Sequence, residues 1–129
     1  MNIYFIILAA GKSMRFNSNL PKQFNFYKGK RMFEHSIDKA IESKLFKKII
    51  LVVNKSHRKH IKKLRIKNLI IINGGKERND SSQLALKYLK KFKPSKVFIH
   101  DAARPNFSIK LLKKLSLLLK KKNAVIPYI

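Results

Sequence analysis

The chain has 129 residues, of which 45% are hydrophobic, and this predicts one globular domain with a buried core. The absence of cysteine excludes disulfides and thiolate metal sites, and the apolar runs are too short to span a bilayer. The formal net charge of +25 would suit nucleic acid or another polyanion. Because this excess is mostly lysine and is spread along nearly the whole chain, we interpret it as solvated surface.

Predicted strands and helices alternate along the chain. Apolar runs of strand length lie at 3–8, 48–53, 68–72, 96–100 and 123–127. Apolar residues at helical spacing predict helices over 32–43, over 56–64, from near Asn79 towards Pro94, and after Ser108 as an N-cap. This alternation predicts an α/β fold with a mainly parallel sheet and flanking helices. Since no helix follows the last apolar run, we expect a single domain over 1–129 that is incomplete at its C-terminus.

Three of the predicted strands lead into unusual loops. These loops cover residues 9–22, 74–81 and 100–105. Because the carboxyl ends of parallel strands share one edge of a sheet, we expect the three loops to lie close together. The first loop is rich in small residues, and its Gly11 can take backbone angles that are closed to other residues. With Arg15 and Lys22 beside it, this edge of the sheet predicts a polyphosphate site.

Two features of these loops bear on the chemistry. A P-loop is excluded, because Ile6 occupies the position where the first glycine of that motif is needed. Asp101 is the one acidic residue at the tip of a predicted strand, where a carboxylate can reach a Mg²⁺ ion that bridges two phosphates. Alternatively, Asp101 caps a turn or pairs with Arg104. The sequence leaves both interpretations open.

Five short segments together resemble the 2-C-methyl-D-erythritol 4-phosphate cytidylyltransferase family, and they follow the family's order and spacing. They lie at residues 8–11, 15–16, 21–24, 74–81 and 100–105. The resemblance implies a Rossmann-like nucleotidyltransferase fold. It also implies an enzyme that transfers a cytidylyl group from CTP to methylerythritol phosphate, with release of pyrophosphate, in non-mevalonate isoprenoid precursor biosynthesis.

The same resemblance implies roles for individual residues. Arg15 and Lys22 match catalytic residues that neutralise the triphosphate and the transition state, and Asp101 matches the Mg²⁺ ligand. Arg104 matches a residue near the methylerythritol phosphate. Residues that match the nucleotide-binding positions are Ala9, Ala10, Gly11, Gly75, Lys76, Arg78 and Ser81.

Members of the family continue well beyond this length. The resemblance therefore implies that the CTP and Mg²⁺ sites are largely encoded here, whereas the acceptor site and the arm that forms the family's homodimer are not. It also implies a cytoplasmic protein, or a stromal one in a plastid-bearing host, with no specific nucleic-acid partner and no membrane partner.

A different acceptor is the nearest rival to this interpretation. Ribitol-5-phosphate cytidylyltransferases share the fold, but they usually carry Ala-Gly-Gly in the first loop and Asp-Ala-Val in the third. The alanines at positions 9, 10, 102 and 103 favour the isoprenoid enzyme. Two hypotheses of a different class are a basic nucleic-acid-binding module, which the +25 charge would suit, and an inactive truncated fragment.

Overall fold

The computed structural model describes residues 2–11, 21–61, 64–104 and 106–120. The strands are β1 (Ile3–Ala9), β2 (Phe26–Tyr27), β3 (Lys30–Arg31), β4 (Lys48–Val53), β5 (Leu69–Asn73) and β6 (Lys96–Asp101). The α-helices are α1 (Met32–Ser43), α2 (Arg78–Leu89) and α3 (Ile109–Leu118). Short 3-10 helices cover Lys22–Phe24, Lys55–His60 and Lys90–Phe92.

Four strands form a parallel sheet in the order β5-β4-β1-β6, and β2 pairs with β3 in an antiparallel hairpin. The predicted α/β fold is confirmed.

Strand β1 is the centre of the molecule. All seven of its residues are buried, as expected for a parallel strand that is covered on both faces. Because side chains alternate along a strand, Phe5 and Ile7 point to one face and Tyr4 and Ile6 to the other. The continuous apolar run at the start of the chain is thus explained by packing on both sides.

The helices divide between the two faces. Phe33 and Ile37 of α1 and Leu112 of α3 pack in the same core cluster as Phe5. On the opposite face, Ala85 and Leu89 of α2 pack with the other side of β1. None of the helices in the described part of the chain is long and apolar enough to cross a membrane.

The strand order reverses at β1. The chain proceeds from β1 to β4 and β5 on one side, and α2 then carries it back to β6 on the other side of β1. In open parallel sheets such a reversal opens a crevice at the carboxyl ends of the strands, where ligands bind. Here the reversal brings the end of β6 beside the end of β1.

The predicted start of α3 agrees with the structure, whereas two other predictions differ. Ser108 caps α3 as predicted, since its Oγ accepts a hydrogen bond from the Leu111 N–H at 3.0 Å. The predicted helix over 56–64 is wrong, because residues Lys55–His60 form a 3-10 helix. The predicted start near Asn79 agrees with α2, which begins at Arg78, but the predicted Asn or Asp cap is wrong, because the N-cap is Glu77. The predicted strand over 123–127 lies outside the described residues.

Candidate functional site

An open cleft of about 380 Å³ lies at the carboxyl edge of the sheet. Its walls come from the end of β1, the 3-10 helix at Lys22–Phe24, the start of α2 and the end of β6. The predicted site residues that line it are Ala10, Gly11, Lys22, Lys76, Arg78, Ser81, Asp101 and Arg104. The prediction that the three loops lie close together is therefore confirmed.

Three predicted site residues are not among those lining the cleft. Ala9 is fully buried, and its side chain belongs to the core on the α1 face. Gly75 lies next to the cleft-lining Lys76. Arg15 falls outside the described residues.

The two described ends of the first loop are joined by a residue that sequence reasoning missed. Gln23 is 4% exposed, and its Nε2 donates to the carbonyl oxygens of Ala9 at 2.8 Å and Gly11 at 2.9 Å. The backbone freedom expected of Gly11 is not used, because its φ lies outside the left-handed region. The signal for Gln23 was its place in the 21–24 segment, but only the fold brings it against the end of β1.

The second loop is closely packed. A Cβ added to Gly74 would lie 2.6 Å from the Cβ of Ala10 and 2.6 Å from the Oγ of Ser81. The buried Ser81 hydroxyl also accepts a hydrogen bond from the Gly75 N–H at 3.1 Å. The glycines therefore allow the start of α2 to pack against the end of β1, and Ser81 fixes the loop between them.

The start of α2 carries its own carboxylates. The Glu77 side chain accepts from the backbone N–H of Asp80, and the Asp80 carboxylate accepts from the Glu77 N–H at 3.1 Å. This capping box satisfies a helix amide that a ligand would otherwise bind. The free N–H groups at the start of a helix can bind an anion, and the capping box leaves fewer of them free here. An anion at this end of the cleft would therefore meet mainly the exposed Lys76 and Arg78 side chains.

The third loop holds Asp101 at the tip of β6. Its Oδ1 accepts a hydrogen bond from the Ala103 N–H at 2.9 Å, and the Arg104 N–H donates to the Asp101 carbonyl at 3.1 Å. The Ala102 N–H donates to the Leu8 carbonyl at 2.9 Å, which ties the turn to β1. Asp101 therefore does cap a turn, as one of the two interpretations requires. Since a carboxylate has two oxygens, capping through Oδ1 is compatible with a metal on Oδ2.

His100 supports this turn from the opposite face of β6. Its ring lies 4.4 Å from that of Phe107 between centroids, and its Nε2 is 2.7 Å from the Arg104 carbonyl oxygen. Because a carbonyl only accepts, we assign the hydrogen to Nε2. Burial lowers the pKa of His100 below its usual value of 6.5, and the Arg104 carbonyl and the Asp101 charge oppose that effect only partly.

The lowered pKa of His100 predicts an acid-sensitive fold. The unfolded chain takes up a proton near the usual histidine pKa, whereas the folded chain resists it, so stability is lost as the pH falls below that value. Burial also lowers the pKa values of His57 and His60, and these lowered pKa values likewise reduce the stability of the fold as the pH falls. We expect the melting temperature to fall between about pH 7.5 and about pH 5.5. Thermal melts of His100→Gln should show a smaller fall, and an unchanged pH dependence would contradict the assignment.

The cleft is predominantly cationic. Four of its lining side chains carry positive charge and two carry negative charge, namely Lys22, Lys76, Arg78 and Arg104 against Glu77 and Asp101. The four cations are all exposed, so their attraction for an anion is screened by water and salt. This arrangement suits a polyanionic ligand that brings a divalent cation with it.

Comparisons with known proteins agree with this geometry. Residues 3–129 match the sequence profile of IspD, 2-C-methyl-D-erythritol 4-phosphate cytidylyltransferase. The chain is 58% identical over 129 residues to a protein of Pelagibacter ubique named bifunctional enzyme IspD/IspF, covering 100% of this chain and 35% of that protein.

Solved structures show the same relationship. The bifunctional IspDF of Campylobacter jejuni superposes with a TM-score of 0.77 at 31% identity, covering 94% of this chain and 31% of that one. The Francisella tularensis 2-C-methyl-D-erythritol 4-phosphate cytidylyltransferase gives a TM-score of 0.76 at 31% identity, covering 95% of this chain and 54% of that one. The chain thus spans only part of the length of these relatives. On the match over residues 3–129, the chain belongs to the 2-C-methyl-D-erythritol 4-phosphate cytidylyltransferase family.

Proposed function

We propose that the cleft binds CTP together with Mg²⁺ and serves cytidylyl transfer to 2-C-methyl-D-erythritol 4-phosphate. The observation that carries this proposal is the meeting of three loops at the strand-order reversal. They bring a strand-tip carboxylate, Asp101, into one cleft with cations from opposite walls, Lys22 and Arg78. A nucleoside triphosphate with its metal has the matching charge.

The residues present fit a magnesium ion that is held largely by its substrate. Among the residues described, no group of three or more histidine, cysteine or acidic side chains is placed to hold a metal. Mg²⁺ is commonly bound by one or two carboxylates together with substrate phosphates and water. Asp101 supplies one such carboxylate at the cleft wall. When bound, the ion would neutralise charge on the phosphates.

The reaction needs charge stabilisation more than proton transfer. An oxygen of the acceptor phosphate attacks the α-phosphorus of CTP, a new P–O bond forms, and the bond to the β-phosphate breaks to release pyrophosphate. Because the nucleophile is already anionic, no general base is required. We propose that Lys22 and Arg15 neutralise the charge of the phosphates during this step.

The remaining cleft residues divide between the two substrates in this proposal. The backbone around Ala9, Ala10 and Gly11 and the loop at Gly75 surround the base. Side chains proposed to contact the nucleotide are Lys76, Arg78 and Ser81. Arg104, on the β6 side of the cleft, is proposed to contact the acceptor phosphate.

Two parts of the proposal rest on family membership rather than on the cleft. We propose that the functional protein is a homodimer, which light scattering coupled to size-exclusion chromatography would measure. We also propose that it works in the cytoplasm.

Lys22→Ala is the direct test of the nucleotide site. We expect the chain to bind CTP in the presence of Mg²⁺ by isothermal titration, and the substitution to weaken binding about 10- to 100-fold, since hydrogen bonds to charged groups carry that much energy. Lys87→Ala is the matched control, because Lys87 is an exposed lysine on α2 that does not line the cleft. Equal affinities of the two variants would contradict the proposal.

Binding and turnover measurements on the same protein separate this function from its rivals. In an assay of the full-length protein, turnover with ribitol 5-phosphate and none with methylerythritol phosphate would show that ribitol 5-phosphate is the acceptor. Tight, strongly salt-dependent binding to RNA or DNA that survives Lys22→Ala, without CTP binding, would favour a nucleic-acid-binding module.

A further inference from the structure

Strand β1 ends at Ala9, and the chain lines the cleft at Gly11 and again at Lys22, so these two points form the base of the first loop. Gln23 connects them. Its Nε2 lies 2.8 Å from the carbonyl oxygen of Ala9, the last residue of β1, and 2.9 Å from that of Gly11. Gln23 is 4% exposed, its bond to Ala9 is buried and its bond to Gly11 is partly buried, so both are at least partly shielded from water.

Among uncharged side chains of this length, only an amide can make this pair of contacts. Glutamine carries two N–H donors on one nitrogen, and both are used here on backbone carbonyls two residues apart. An ionised glutamate offers only acceptors, which would repel the two carbonyl oxygens, and a methionine of similar length offers no donor.

The bonds of Gln23 also fix its neighbour. Lys22 is exposed at the cleft, but it stands between the buried Pro21 and Gln23. The Phe24 N–H donates to the Pro21 carbonyl at 2.9 Å, and the Phe24 ring is fully buried. A cation on a backbone held in this way loses less freedom when it binds phosphate.

We propose that Gln23 is a positioning residue: its amide closes the base of the first loop and thereby holds Lys22 and Gly11 at the spacing the nucleotide requires. This rests on the proposed function of the cleft. Gln23 acts through the backbone of Ala9 and Gly11 and through its neighbour Lys22, and it carries out no chemistry itself.

The test compares Gln23→Glu and Gln23→Met with the wild type by Mg²⁺-dependent CTP titration at about pH 8 and about pH 6. We expect both variants to bind on the order of 10- to 100-fold more weakly at the higher pH, because two shielded hydrogen bonds are lost. At the lower pH only the Glu variant should recover, since a buried carboxyl takes up a proton readily and regains one O–H donor. All affinities are taken relative to the wild type at the same pH.

Gln83→Glu is the matched control, because Gln83 is exposed on α2 and does not line the cleft. Trypsin cleavage after Lys22, relative to cleavage after the cleft lysine Lys76, adds a readout that does not depend on CTP. It should rise about tenfold or more in Gln23→Met if the base of the loop opens. Equally faster cleavage at both lysines would indicate general unfolding of Gln23→Met. In that case, the recovery of CTP affinity by Gln23→Glu at the lower pH decides whether the positioning role holds.

The outcomes separate the two proposals. If the wild type binds no CTP, the proposed function fails and the positioning role fails with it. If the wild type binds CTP and folded Gln23 variants bind equally well, only the positioning role is overturned. Weakened binding by Gln23→Glu without recovery at low pH would likewise overturn it.

Discussion

Replacing Asp101 with asparagine is expected to abolish Mg²⁺-dependent CTP binding while leaving the fold intact. The asparagine Oδ1 can still accept the hydrogen bond that Asp101 receives from the Ala103 N–H, so the turn should persist. A neutral amide, however, cannot balance the charge of the ion. Since a metal ion held by the carboxylate would stabilise the charge of the phosphates, we expect Mg²⁺ to give no gain in CTP affinity in this variant.

Asp101→Asn thus separates the two roles that the sequence left open. CTP titration with and without Mg²⁺, together with a thermal melt, measures both. Asp101→Ala should lose the cap as well and melt earlier. Asp38→Asn is the matched control, because Asp38 pairs with Lys30 and neither residue lines the cleft. Wild-type affinity in Asp101→Asn would show that the carboxylate serves the turn alone.

Gly74→Ala is expected to destabilise the protein by about 1–3 kcal/mol through overpacking. The added Cβ would lie 2.6 Å from the Cβ of Ala10, 2.6 Å from the Oγ of Ser81 and 3.1 Å from Cγ1 of Val52. To relieve these close contacts, the start of α2 must move away from β1. That movement would also break the bond between the Gly75 N–H and Ser81, so CTP affinity should fall with stability.

Urea unfolding of Gly74→Ala and Gly11→Ala provides the comparison. Gly11 also lines the cleft, but a Cβ added there meets no atom of the described residues within 4 Å, and its φ lies outside the left-handed region. We expect Gly11→Ala to unfold at nearly the wild-type urea concentration. Equal midpoints for the two variants would contradict the packing argument.

Much of the site could be predicted from the sequence because its parts are local. The continuous apolar run of β1 requires burial on both faces, and the similar run at β4 follows the same rule, whereas the run at β6 is only partly buried. Parallel strands share a carboxyl edge, so the loops that follow them meet whatever their detailed conformation. The place of Asp101 at the end of β6 is a consequence of this rule.

Some features depend on contacts that no apolar pattern contains. The predicted helix over 56–64 became a 3-10 helix at Lys55–His60, with the Asn54 side chain bonded to the Ser56 N–H at 3.0 Å. The cap of α2 moved to Glu77 because Asp80 reaches back to its backbone. The spacing of apolar residues and the residue preference at N-caps do not predict such side-chain contacts.

The sequence by itself determined the α/β class, the edge of the sheet that carries the cleft and the residue types at that edge. These features depend on the spacing of apolar residues and on strand direction, which are local properties of the chain. The tertiary structure alone decided which glycines the packing requires. Gly74 lies against Ala10 and Ser81 and Gly75 lies against Asp80, whereas a Cβ added to Gly11 meets none of the described residues within 4 Å. It also decided that Gln23 closes the first loop, because its two partners lie 14 and 12 residues away along the chain and meet it only when β1 and the Lys22–Phe24 segment pack together.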